Sequence, residues 1–197
     1  MTSLRELYGP PIERARLKVL RKLDRHCLAF IRLSPFVILG TSSSAGADVT
    51  PRGDQPGFVH ALDEGTLAIP DWPGNNRVDS LGNIVENPQV GMLFMIPGVD
   101  ESLRVNGRAT ISTEPELLAR WDGNGRHPKS VLVVAVEEAF LHCGKAFIRS
   151  RLWHDDYKVD RSALPTYGQM LKDQIEICDT AEEIQTSVLT GYREKLY

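Results

Sequence analysis

The chain has 197 residues, of which 42% are hydrophobic and 25% charged, a balance that excludes disordered and collagen-like proteins. Lysine and arginine total 23 against 26 acidic residues, and the net charge of -3 gives no overall field to attract nucleic acid or anionic lipid. A chain of this length can bury one ordinary core, so a single domain over residues 1–197 is expected.

The cysteines Cys27, Cys143 and Cys178 are odd in number, far apart and free of any C-x-x-C spacing. That speaks against a disulfide framework or a thiolate zinc site and suits a reducing cytoplasm. Residues Met1 to Arg16 carry charges where a signal peptide needs an apolar run, and no stretch reaches the roughly 20 apolar residues of a membrane span. A cytoplasmic protein without a membrane partner is the expectation.

From Glu13 to Arg32, Val19, Leu20, Leu23, Cys27, Phe30 and Ile31 recur at spacings of three and four, which predicts an amphipathic helix over about 13–33. Its basic face is diluted by Glu13 and Asp24 and reads as solvated surface. Short strands are then expected at Phe36 to Thr41, Ala47 to Pro51, Thr66 to Pro70, Val90 to Ile96, Ser102 to Ser112 and Val131 to Val136. Only one helical pattern interrupts them, Arg77 to Glu86, with Asn75 and Asn76 at its N-cap and Asn87-Pro88 at its stop. Glu137 to Arg151 reads as a second helix or helical turn, Asp155 to Ala163 as a linker, and Thr180 with Glu183 as a capping box within a helical extension over about 160–197. Six strands with so few helices between them point to an antiparallel barrel or sandwich, mainly β with flanking helices, and away from a βαβ nucleotide fold.

The start of the internal helix gathers free backbone N–H groups, the positive end of a helix dipole, two asparagine amides and Arg77, a combination that suits a phosphate. A plain helix cap with a surface arginine explains the same residues. Arg52, beside Gly53 at a strand end, offers a place where a flat ligand can approach the backbone, and an ordinary turn accounts for it equally well. Lys145 and Arg149 share a helical face near Trp153. His26-Cys27 and His142-Cys143 lack the carboxylate or histidine spacing that would complete a metal site, so no metal is expected. Walker, G-x-G-x-x-G, G-x-S-x-G and H-E-x-x-H motifs are missing from the sequence.

Taken in order, the strand Phe36 to Thr41, the end Thr50-Pro51-Arg52-Gly53, the run Asn75-Asn76-Arg77-Val78-Asp79-Ser80-Leu81 before Asn87-Pro88, Val105-Asn106-Gly107-Arg108-Ala109 and the segment Cys143 to Trp153 resemble the pyridoxamine 5'-phosphate oxidase-like, FMN-binding split-barrel proteins. The resemblance covers about residues 20–155. It implies a homodimer of six-stranded antiparallel split β-barrels with FMN in clefts between the subunits. It further implies Asn75, Asn76 and Arg77 at the phosphate, and Pro51, Arg52 and Gly53 beside the isoalloxazine ring. Ile69, Pro70 and Asp71 would form a second strand end at the ring, and Lys145, Arg149, Ser150 and Trp153 would complete the cleft. Arg52 or Lys145 would supply the positive charge at the ring edge; no catalytic acid or base is evident. The segment Arg149 to Trp153 departs from the substrate-recognition region of true pyridoxamine phosphate oxidases, so vitamin B6 oxidation is not expected. The implied function is an FMN-dependent oxidoreductase acting on a small molecule, with NAD(P)H as a candidate donor. Its alternatives are a non-catalytic flavin carrier or sensor, and a haem-binding protein using His26, His127 or His142.

Overall fold

A computed structural model describes residues 2–122, 127–194 and 196. The described chain divides into two compact units, Met1–Trp153 and His154–Tyr197. In the first unit the order is α1 (Thr2–Tyr8), α2 (Glu13–Leu17), α3 (Arg25–Leu33), β1 (Phe36–Ser43), β2 (Gly46–Gly53), β3 (His60–Asp63), β4 (Thr66–Asp71), α4 (Asp79–Glu86), β5 (Gln89–Met95), β6 (Ser102–Ser112), α5 (Pro115–Leu118), β7 (Ser130–His142) and α6 (Lys145–Ser150). The second unit holds α7 (Tyr167–Gln174) and α8 (Ala181–Glu194). There Thr180 and Glu183 form the expected reciprocal cap: the Glu183 N–H donates to Thr180 Oγ1 at 3.2 Å and the Thr180 N–H to Glu183 Oε2 at 2.7 Å.

The seven strands form one sheet in the order β2-β1-β5-β6-β7-β4-β3, with every pairing antiparallel. Expectation gave six; the seventh is β3, whose four residues His-Ala-Leu-Asp carry too little apolar alternation to announce a strand. Burial alternates along β1, β5 and β6, so Val37, Leu39, Met92, Phe94, Leu103 and Val105 enter one core. Between Asn106 and Gly107 the register slips by a β-bulge that leaves Glu137 of β7 unpaired. Gly107 allows the close crossing there: a Cβ would stand 2.2 Å from the Ala135 carbonyl oxygen.

The opening segment is not one helix over 13–33. The Leu20 N–H and C=O pair with Ala139 of β7, each bond 2.9 Å long, and the Leu23 N–H donates to the Glu64 carbonyl at 2.7 Å. Leu20 and Leu23 carry the helical spacing but satisfy their backbone against the sheet, and α3 restarts only after Asp24, whose carboxylate accepts from the N–H groups of His26 and Cys27. The same backbone competition overturns the helical reading of 137–142. That stretch continues β7 opposite β6, and the helix there is confined to α6.

Two prolines show how the sheet ends are arranged. Pro51 sits on β2, an outermost strand, where a missing N–H costs least. Pro70 lies in β4 beyond the reach of β3, which pairs only with Thr66, Leu67 and Ala68. From Ile69 onward β7 is therefore the one described strand that pairs with β4, and at its end Asp71 meets Arg52 of β2 instead of a strand partner on the other side.

Candidate functional site: a polar cavity between two strand ends

A cavity of about 380 Å³ opens between the outer strand β2, the end of β4 and the segment leading into α4. Its size is within the range of small-molecule sites. Six of the residues singled out from the sequence line it together: Pro51, Arg52, Asp71, Asn75, Asn76 and Arg77. The strand pairings and the segment between β4 and α4 place them around one cavity although 25 positions separate Arg52 from Arg77. Of the others, Ile69 is fully buried in the core and Gly53 is exposed at the strand end; neither they nor Pro70 line the cavity.

The helix begins later than its sequence suggests. Asp79 is the first residue of α4 and Val78 precedes it, so neither Asn75 nor Asn76 is the cap. Instead Asn75 Oδ1 accepts from the Arg77 N–H at 3.0 Å, closing a turn of its own. Asn76 and Val78 both adopt left-handed backbone, with φ of 59° and 54°. For a β-branched residue such as Val78 this conformation is rare and costly. Along α4, Ser80 and Ile84 are buried and Val85 is exposed, as is Val78 just before the helix. The Ser80 hydroxyl donates to Asp48 of β2 at 3.0 Å, tying the helix start to the cavity wall.

Charges here are organised in pairs. The Arg52 guanidinium is ion-paired through Nη1 with Asp71, and both side chains are largely enclosed. Its Nε is buried and meets no acceptor among the described residues. An unmatched buried donor costs about 1–3 kcal/mol, a penalty that a ligand acceptor would remove. Arg77 Nε donates to Asp79 Oδ2 at 2.7 Å on the solvent side, a contact that raises the guanidinium pKa further above its ordinary value. Beyond the expected residues the cavity also takes in Asp48, Trp72, Ser80 and Lys129. Lys129 lies just ahead of β7, and its N–H donates to the Asp71 carbonyl at 2.9 Å. Only the pairing of β4 with β7 brings it here, and no local pattern in the sequence could have flagged it.

Lys145, Arg149, Ser150 and Trp153 do not line this cavity. Arg149 Nε donates back to the Lys145 carbonyl at 3.2 Å and the Ser150 hydroxyl to the Phe147 carbonyl at 3.1 Å. Trp153 stacks on Phe147 and donates its indole N–H to the Val99 carbonyl at 2.9 Å. His26, His127 and His142 are likewise outside the cavity lining. Among the described residues no group of three or more His, Cys, Asp or Glu is placed to hold a metal ion, and no helix is long and apolar enough to cross a membrane.

The family model for pyridoxamine 5'-phosphate oxidase matches residues 23–143, more than half of the chain. The chain belongs to the pyridoxamine 5'-phosphate oxidase family. No curated protein matches it. Among solved structures it is similar to Group A Streptococcus HupZ, 18% identical with a TM-score of 0.50 over 60% of this chain and 93% of that one. A point variant of HupZ matches at 21% identity and a TM-score of 0.50, over 61% of this chain and 99% of that chain. An FMN-binding protein from Syntrophomonas wolfei is 13% identical with a TM-score of 0.47, over 72% of this chain and 96% of that chain. The pyridoxamine 5'-phosphate oxidase fold is the antiparallel split barrel with flanking helices, here built on seven strands.

Proposed function

We propose that this member of the pyridoxamine 5'-phosphate oxidase family is an FMN-dependent oxidoreductase acting on a small molecule. The observation that carries the reading is the meeting of the Arg52 and Asp71 strand ends with the Asn75 to Arg77 turn around one cavity, where Arg52 Nε is a buried donor in want of an acceptor. Arg52, held by Asp71, would grip the polar edge of the flavin ring, and the turn Asn75 to Arg77 would face the phosphate end of the ligand. Bound FMN supplies the electron or hydride transfer, and the chain's own residues bind and orient it. Of the two cations considered for the ring edge, Arg52 is the one that lines the cavity, which favours it over Lys145.

A homodimer belongs to the same reading. The registers place Pro51, Ile38 and Leu93 in one cross-strand row and Val49, Gly40 and Gly91 in the next, on the sheet face turned away from the core. Val49 and Pro51 line the cavity as well, so this face runs into the cavity wall. A second copy seated there would add to that wall, and α6 with Lys145, Arg149, Ser150 and Trp153 is the element we assign to the partner's contribution. Light scattering at low concentration checks this: a monomer that still holds FMN removes the dimer from the proposal.

One observation favours the flavin carrier as a second reading. Among the described residues no histidine or cysteine lines the cavity, Asp71 and Asp79 are both engaged by arginine and Asp48 by Ser80, so Lys129 is left as the one titratable group of the lining without a charged or hydroxyl partner, a poor match for acid–base turnover. Purification with a yellow chromophore that releases FMN on denaturation supports flavin binding; a colourless protein that added FMN does not stabilise rejects it. Anaerobic bleaching by NADH or NADPH with catalytic reoxidation by an acceptor marks the enzyme, and a flavin inert to both marks the carrier.

A further inference from the structure

The cations of the cavity are not equivalent. Arg52 is paired with Asp71 and Arg77 with Asp79, so each brings its own counter-charge. Lys129 has no carboxylate partner among the described residues; its Nζ donates to Asn76 Oδ1 at 3.3 Å. That contact turns the Asn76 carbonyl oxygen toward the lysine and leaves the Nδ2 amide donor for another acceptor. Asp79 occupies the first turn of α4, so a carboxylate already stands at the positive end of that helix and repels an incoming anion. Asp48, on the β2 wall, is held by Ser80. The place where a dianion meets two donors and least opposition is therefore the Lys129–Asn76 corner, away from the helix start. The corner is fixed from the sheet side, because Ser130 pairs with Asp71 and the Lys129 N–H is bonded to the Asp71 carbonyl.

We propose that Lys129, together with the Asn76 carboxamide, seats the terminal phosphate of the cavity's ligand and so selects phosphorylated flavin over riboflavin. This rests on the flavin reading above. Lys129→Met in the full-length protein tests it through dissociation constants for FMN and riboflavin measured by flavin fluorescence. Loss of a charged donor to a phosphate weakens FMN about ten- to a hundredfold, leaves riboflavin unchanged, and is largely restored in Lys129→Arg. An unchanged FMN affinity, or an equal loss for both flavins, overturns the assignment. A wild-type protein that binds neither flavin sinks the flavin reading instead. Thermal stabilisation by inorganic phosphate then decides the corner: a wild-type shift abolished in Lys129→Met upholds it as an anion seat, and equal or absent shifts reject it.

Discussion

Arg52 and Asp71 come from strands that are not neighbours, and their pairing fixes the ends of β2 and β4 relative to each other across the cavity. Asp71→Asn leaves the guanidinium charged and largely enclosed without its counter-ion. The expected cost is about 2 kcal/mol, below the fully buried figure because both side chains keep some solvent access, and chemical denaturation measures it. A smaller loss in the double variant Arg52→Met/Asp71→Leu than in Asp71→Asn would show that the stranded charge, and not the missing contact, sets the cost. His60 gives a pH handle. It stacks on Trp121 with ring centroids 4.3 Å apart, and burial, then the charge of Arg120, lowers its pKa below the usual 6.5. The unfolded chain therefore takes up the proton first, so this contribution to stability is complete above about pH 6.5 and declines as pH falls below it. His60→Phe should flatten the change in melting temperature between pH 7.5 and 5.5; an unaltered slope assigns it to other groups.

At the level of elements, strands were more legible than helices. Alternation along β6 foretold its bounds, Ser102–Ser112, because one face of that strand is buried and the other exposed. The helical spacing of Leu20 and Leu23 misled because their backbones are drawn into bonds with Ala139 and Glu64, partners more than 40 positions away. At α4 the asparagines have the composition of a cap, yet Asn75 spends its oxygen on a tight turn and the helix starts four residues later. The same turn carried the legible part of the cavity: Asn75, Asn76 and Arg77 line it together with Arg52, while placing Lys129 there required knowledge of the β4–β7 pairing. Two glycines separate packing from propensity. Gly107→Ala drives a Cβ into the Ala135 carbonyl at the bulge and should cost about 3 kcal/mol. Gly82→Ala, in α4 with nothing within 4 Å of the added carbon, should stabilise by about 0.5–1 kcal/mol. Denaturant midpoints of the pair read both signs, and matched destabilisation would contradict the packing account.

Across the whole molecule, the main hydrophobic cluster runs from Leu23 to Ala139 and the cavity lining ends at Ser130, so both are contained in the first unit. Residues 1–153 alone should fold cooperatively and, on the flavin reading proposed above, bind FMN as the full chain does, as judged by calorimetry and flavin titration. Loss of flavin binding with folding intact would give residues 154–197 a part in the site. The outermost strand β2 has a wider consequence. An exposed strand edge invites a foreign strand to add to it, yet at Pro51 this border has no amide hydrogen to offer. The border beside the cavity is thereby a poor template for strand addition, and β2 can stand at the margin of the sheet without inviting edge-to-edge fibrils.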